Sequence, residues 1–95
     1  MIAIVHATKQ FLRMIEAAEA FLHDMGIPEC RVRHHDTLAR IEVPKEWIAA
    51  LAESETAARV DAHFRSLGYQ YVSLDLRGFR SGALNEVISL SVTER

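Results

Sequence analysis

Two short alternating runs, separated by the dipeptide Asp36-Thr37, constrain the fold of this chain more than any other feature. In residues 29–35 and 38–43 apolar side chains alternate with polar or charged ones, which is the pattern of β-strands with one buried face. A two-residue break between two such runs is typical of a β-hairpin. Parity then places Val32 and Ile41 on one face together with Val43, whichever even-numbered register shift holds.

The opposite face of this hairpin carries Arg31, Arg33, Arg40 and Glu42. Guanidinium groups about 5–8 Å apart repel one another unless an anion or a carboxylate lies between them. Glu42 can neutralise one of them, and Glu19 another if the preceding helix crosses the open edge of the hairpin. Two interpretations stay open: an anion pocket, or a solvated face with ordinary surface ion pairs worth under about 1 kcal/mol each.

Helical patterns flank the hairpin on both sides. Thr8 is placed to cap a helix that runs to about Met25, where the sequence Gly26-Ile27-Pro28 ends it. After the hairpin, Pro44 begins a short helix through Leu51, and Ser54 is placed to cap a longer one that Gly68 ends.

The remaining segments complete an α+β domain. Residues 69–76 predict a strand, residues 77–86 a glycine-punctuated loop, and residues 87–92 a last edge strand or a frayed tail. The predicted order is α-β-β-α-α-β, with an optional terminal strand. We expect residues 1–95 to form one domain with a small, mainly antiparallel sheet of three or four strands and helices on one face.

The charge balance limits the kinds of partner. The formal net charge is −2, which argues against nucleic acid, whose binding usually needs a basic surplus. Nine of the eleven basic residues are Arg, and Arg grips carboxylate or phosphate with a planar fork. This bias favours a small anionic ligand, although codon usage explains it equally well.

Localisation follows from the cysteine count and the hydropathy. Cys30 is the single cysteine, which excludes an internal disulfide and suits a reducing compartment. No segment approaches the roughly 18–20 apolar residues of a membrane span, and the opening residues lack the basic flank of a signal peptide. We expect a cytoplasmic protein without membrane contact.

Metal and catalytic chemistry find little support in the sequence. His34 and His35 are neighbours on a strand and point to opposite faces, so they cannot share a metal ion. Cys30 lies on the same face as Val32, so we expect it to be a small buried hydrophobic residue and not a nucleophile. No phosphate-binding Gly-rich loop precedes a helix, so we expect no cofactor on this chain alone and no triphosphate chemistry in it. An independent hydrolase or isomerase lacks a nucleophile–base pair.

A second candidate anion contact follows the third strand. The loop Gly78-Phe79-Arg80-Ser81-Gly82 combines backbone N–H groups with a guanidinium and a hydroxyl, as anion-binding nests do. Ordinary turn chemistry gives the same composition. Arg80 and Ser81 are therefore candidates for a second contact to the ligand.

Several ordered motifs resemble the C-terminal domain of LarE-type ATP-dependent sacrificial sulfur transferases. They span residues 11–86, and the most specific are Arg31-Val32-Arg33-His34-His35, Leu38-Ala39-Arg40-Ile41-Glu42-Val43-Pro44 and Gly78-Phe79-Arg80-Ser81-Gly82. Residues 16–22, 67–76 and 85–86 continue the match in order.

The resemblance implies a role in building the nickel-pincer nucleotide cofactor of lactate racemase. In that PP-loop family an N-terminal domain adenylates a pyridinium carboxylate mononucleotide, and a cysteine near the domain junction gives up its sulfur. The resemblance implies that Glu19, Arg31, Arg33 and Glu42 line the transfer site. ATP is then expected only in a missing or separate domain.

This chain departs from the family pattern in two respects. It lacks the ATP domain and the stretch that carries the sacrificial cysteine, for which Cys30 does not substitute. Its hairpin tip is Asp36-Thr37 where the family has Gly-Asp. The chain is then either a piece of a longer protein or a stand-alone relative with a different task.

Two functions follow as expectations. One is the anion-binding and assembly domain of such a sulfur transferase, not catalytically complete alone and served by a separate PP-loop subunit. The alternative is a stand-alone, non-enzymatic module for small-anion binding or oligomerisation. Since an open strand edge is often buried by self-association, we expect a homo-oligomer in either case.

Overall fold

The computed structural model describes the backbone of residues 2–79 and the side chains from residue 8 onward. Its helices and strands follow the order α-β-β-α-α-β, which confirms the predicted α+β class. They are α1 (Ile2–Asp24), β1 (Arg31–His35), β2 (Leu38–Glu42), α2 (Ile48–Ala52), α3 (Ser54–Leu67) and β3 (Tyr71–Leu74), and a 3-10 turn (Lys45–Trp47) leads into α2.

The hairpin has the predicted turn and the predicted faces. Val32 lies opposite Ile41, and Arg33 lies opposite Arg40. Asp36 has a φ of 53°, the left-handed conformation that Asp tolerates and that such a tight turn needs. Val32 and Ile41 are each 2% exposed, so the apolar face of the hairpin is the core face.

The sheet is mixed, with the strand order β1-β2-β3. β1 and β2 are antiparallel, whereas β3 lies parallel to β2. The sequence indicated a mainly antiparallel sheet, but α2 and α3 lie between β2 and β3, and such a helical crossover returns the chain in the same direction. The predicted terminal strand at residues 87–92 lies outside the described residues.

Two helix starts differ from the prediction. α1 begins at Ile2 rather than at Thr8, because residues 2–8 contain no glycine or proline to interrupt a helix. The cap of α3 is Glu53 rather than Ser54, and its carboxylate accepts a hydrogen bond from the Thr56 N–H at 3.0 Å.

Both predicted glycine stops are confirmed. Gly26 and Gly68 have φ of 102° and 118° and follow the last turns of α1 and α3. In each case the next residue donates back into the helix, as in a Schellman cap: Ile27 to Leu22 and Tyr69 to Phe64.

The helices pack on one face of the sheet and close a single core. Leu22 of α1 and Phe64 of α3 are fully buried against Val32, Ala39 and Ile41 of the hairpin. Within residues 2–79 no helix covers the opposite sheet face, which carries the arginines. In residues 2–79 no helix is both long and apolar enough to cross a membrane.

Candidate functional site

Glu42 is the centre of the arginine face, which we define as Arg31, Arg33, Arg40, Glu42 and Asp75. It is 9% exposed although it lies on the solvent side of the sheet. Its Oε1 lies 3.3 Å from Arg33 Nε, and its Oε2 accepts from Arg40 Nη2 at 3.1 Å. Since Arg33 and Arg40 are opposite each other in the hairpin, this one carboxylate separates two guanidinium groups that otherwise repel.

Asp75 is the second carboxylate of the face. β3 pairs with β2 in a register that brings the end of β3 next to Arg40, and Asp75 Oδ2 lies 3.7 Å from Arg40 Nε. That Nε is buried and has no hydrogen-bond partner among the described residues. The carboxylate of Asp75 is therefore the nearby negative charge that offsets it.

Arg31 differs from the other two arginines. Within residues 2–79 it makes no ion pair, although it lies opposite Glu42 in the hairpin. Its guanidinium carbon lies 6.0 Å from the centroid of the Phe79 ring, within cation–π range. Arg31 is exposed, so its guanidinium donors are accessible from solvent.

The turn after β3 brings Phe79 to this position. The Phe79 N–H donates to the Val43 carbonyl oxygen at 2.6 Å, so the chain crosses the end of β2 towards β1. Gly78 makes this close approach feasible. It has a φ of 80°, and a Cβ at that position would lie 2.8 Å from the same Val43 oxygen.

Glu19 acts on the sheet edge instead of on an arginine. Its Oε2 accepts a hydrogen bond from the Val32 N–H at 2.9 Å. β1 is an edge strand, and exposed edge N–H groups invite pairing with other chains. α1 therefore crosses the open edge as expected, but its carboxylate caps a backbone donor and pairs with no guanidinium among the described residues.

A groove of about 390 Å³ runs along the outer edge of β1 beside Ile15 of α1. Its other lining residues are consecutive and comprise Arg31, Val32, Arg33, His34 and His35. The groove therefore opens next to the two arginines at the free edge and not next to Arg40, which lies on the central strand.

The structure thus brings together most of the residues that the sequence singled out. Arg33, Arg40 and Glu42 form one network, and Arg31 lies beside it on the same face. Glu19 lies behind this network at the sheet edge. The remaining two candidates, Arg80 and Ser81, lie outside the described residues, directly after Phe79.

Sequence reasoning missed a contact between Cys30 and His23. The Cys30 Sγ lies 3.8 Å from His23 Nε2, and His23 Nδ1 donates to the Ile27 carbonyl at 3.1 Å. The two residues lie on opposite sides of the Gly26 turn, so no single helix or strand relates them. Burial, together with the charge of Glu19, raises the pKa of the Cys30 thiol from 9.0 to about 11. The thiol stays protonated at neutral pH, which suits the predicted apolar role.

A second missed contact links the hairpin to the end of α3. The Tyr69 hydroxyl lies 3.0 Å from His34 Nδ1, and Phe11 of α1 packs on the His34 ring at 4.3 Å between centroids. Burial raises the pKa of the Tyr69 hydroxyl, and the charge of Glu19 adds to this. In the part of the chain that the structure describes, no three His, Cys, Asp or Glu side chains gather as metal ligands do.

The fold and the site together define a small α+β domain with an arginine face supported by two carboxylates. In comparisons with known proteins, no family model matches the chain. Over 82 residues, or 86% of its length, the chain is 40% identical to the pyridinium-3,5-bisthiocarboxylic acid mononucleotide synthase of Lactiplantibacillus plantarum. Over the same share it is 37% identical to an uncharacterized protein of Synechocystis sp..

The chain covers a limited part of these relatives, namely 29% of the synthase and 31% of the Synechocystis protein. It is therefore similar in sequence to one portion of each of these two relatives. This relationship agrees with the resemblance carried by the hairpin and loop motifs.

Proposed function

We propose that this chain is a LarE-like domain in nickel-pincer cofactor biosynthesis and binds the anionic groups of a pyridinium mononucleotide on its arginine face. The name of the Lactiplantibacillus relative describes a mononucleotide with two thiocarboxylic groups. Phosphate and carboxylate are the groups for which a pair of arginines is chemically suited. The observation that carries the proposal is a difference between two arginines of one sheet face. Arg40 contacts two carboxylates, whereas Arg31 makes no ion pair among the described residues.

Each residue has a distinct role in this proposal. Arg31 and Arg33 clamp a phosphate or a carboxylate at the groove beside β1, with exposed guanidinium groups. Glu42 orients Arg33 through its Nε and leaves the terminal nitrogens of that guanidinium for the ligand. Glu19 fixes β1 against α1, and Arg80 and Ser81 add a second contact beyond Phe79.

In this proposal the domain binds substrate and contributes to assembly, and catalysis needs more than this chain. ATP is bound and split by another domain or by a separate PP-loop subunit in the cytoplasm. Cys30 has no part in the proposed sulfur transfer, and burial, which raises its thiol pKa to about 11, disfavours the reactive thiolate.

Calorimetric titration with nicotinic acid mononucleotide, a stand-in for the pyridinium nucleotide, tests the proposal. We expect saturable binding that is lost in the double variant Arg31→Ala/Arg33→Ala. The matched control is Arg59→Ala/Arg65→Ala, which removes the same charge from α3, where Arg65 pairs loosely with Asp61 at 4.0 Å. Equal binding by the two double variants would refute the arginine clamp.

A second candidate function is a non-enzymatic module that assembles through β3. The Tyr71 N–H donates to the Thr37 carbonyl just before β2, and the Asp75 N–H donates to the Ile41 carbonyl of β2. The backbone groups of Val72 and Leu74 therefore face the outer edge of β3, where no strand pairs among the described residues. Beside this edge lies an apolar groove of about 260 Å³, lined in part by Leu51, Val60, Val72 and Leu74. If β3 paired with β3 of a second copy, this apolar groove would be covered in each of the two copies. Sedimentation equilibrium tests this candidate, since a strict monomer at high concentration excludes it.

A further inference from the structure

Asp75 is held in place by more contacts than an ordinary surface carboxylate. Its backbone N–H donates to the Ile41 carbonyl at 2.9 Å, and its own carbonyl accepts from Gly78 N–H at 3.1 Å. Its Oδ1 accepts from the Arg77 N–H at 2.8 Å, while its Oδ2 faces Arg40. The carboxylate thus has one oxygen on the turn and one on the arginine face.

Arg40 contacts two carboxylates as a result. Its Nη2 donates to Glu42 at 3.1 Å, and its Nε faces Asp75 at 3.7 Å. In the described chain the face carries three arginines and two carboxylates, so one positive charge remains unneutralised. Both carboxylates contact Arg40, and Glu42 is shared with Arg33, so Arg31 and part of the Arg33 charge make up that surplus.

We infer that Asp75 is a positioning residue of the anion site. Its negative charge offsets the charge of Arg40, whose side chain is 41% exposed, and so keeps the surplus positive charge at the groove beside β1. The site then distinguishes ligands by whether they reach the edge arginines, and not merely by their total negative charge. This inference rests on the proposed function.

The variant Asp75→Asn separates this role from support of the turn. The asparagine oxygen still accepts from the Arg77 N–H, so the turn is kept, but the charge that faces Arg40 is lost. Arg40 then becomes a further cation for any anion on the face. Asp61→Asn is the matched control, since Asp61 is a half-exposed carboxylate on α3, paired only with Arg65 at 4.0 Å among the described residues.

The experiment measures the dissociation constants of inorganic phosphate and of nicotinic acid mononucleotide for the 95-residue chain, at low and high salt. In Asp75→Asn we expect phosphate to bind about 3–10-fold more tightly at low salt, because one added charge nearby changes binding by that order. The gain shrinks at high salt, and the preference for the nucleotide over phosphate falls. A residue that only supports the turn would not tighten phosphate binding.

The outcomes separate the inference from the proposed function. If the wild-type chain binds the nucleotide and Asp75→Asn binds phosphate no more tightly than Asp61→Asn does, the positioning role is overturned and the arginine clamp stands. If the wild-type chain binds neither ligand, the proposed function is overturned and this inference with it.

Discussion

The guanidinium carbon of Arg31 lies 6.0 Å from the centroid of the Phe79 ring, which links the first residue of β1 to the segment that follows β3. The two residues are far apart in sequence, and the link depends on the hydrogen bond from Phe79 N–H to the Val43 carbonyl. Because Arg80 and Ser81 follow Phe79 directly, the contact connects both halves of the proposed anion site.

Replacing Phe79 by Leu should loosen this link while keeping most of the apolar bulk. A cation–π contact at a partly exposed site contributes about 0.5–1 kcal/mol, so we expect the free energy of unfolding to fall by about that amount. Nucleotide binding should weaken about two- to fivefold, because Arg31 becomes less ordered. Chemical denaturation and calorimetry measure the two effects, and an unchanged affinity would show that Phe79 does not position Arg31.

The variant Glu42→Gln should expose the repulsion between Arg33 and Arg40. An amide keeps the shape but loses the charge that both guanidinium groups share at 3.1–3.3 Å. We expect a loss of about 1–3 kcal/mol in unfolding free energy, typical of a charged group deprived of its partner. Phosphate should restore part of this loss at matched ionic strength, because an anion bound between the arginines replaces the carboxylate. Equal recovery in sodium chloride would argue against specific anion binding.

The variant Gly78→Ala should damage the site without altering any charge. The new Cβ would lie 2.8 Å from the Val43 oxygen at a φ of 80°, so the Phe79–Val43 hydrogen bond must shift. We expect a loss of about 1–3 kcal/mol in stability together with weaker nucleotide binding. Gly26→Ala is the control: its φ of 102° is also strained, but its nearest contact is Trp47 at 3.9 Å. That variant should lose stability and keep its affinity.

Stability should decline between about pH 9 and 11 because of Cys30. Its thiol pKa is 9.0 when unperturbed and about 11 in the folded chain, raised mainly by burial and further by Glu19. In this window the unfolded chain releases the proton and the folded chain keeps it, so folding becomes less favourable as pH rises. Tyr69, whose pKa is also raised, extends the decline to higher pH.

Two variants test this pH dependence. Cys30→Ala should flatten the decline between about pH 9 and 11 while the later part, due to Tyr69, remains. Glu19→Gln should lower the thiol pKa, though not to 9.0 since burial is the larger cause. Denaturant midpoints and the pH dependence of thiol alkylation are the measurements. An identical stability profile in Cys30→Ala would contradict the assignment.

Sequence reasoning predicted what depends on local periodicity. The alternation in residues 31–43 defined both faces of the hairpin, because side-chain parity does not change with an even register shift. The helix ends at Gly26 and Gly68 were equally predictable, since few other residues adopt the positive φ of these two positions.

Relationships between distant segments were not predictable in this way. The direction of β3 depends on how α2 and α3 cross the sheet, which no local pattern contains. Asp75 lies next to Arg40 because of the parallel register of β3, which local sequence patterns do not contain. Likewise, Glu19 was expected near an arginine, and the crossing position of α1 places it on the Val32 N–H instead.

Nitrogen–proton correlation NMR during titration with nicotinic acid mononucleotide tests the arginine face most directly. We predict that the largest shifts fall on the amides of residues 31–35 and 78–81 and on the side-chain Nε–H groups of Arg31 and Arg33. The Arg59 and Arg65 signals on α3 should stay in place, and all shifts should vanish in Arg31→Ala/Arg33→Ala. Shifts centred on α3 or on the groove beside β3, with the arginine face unchanged, would contradict the account.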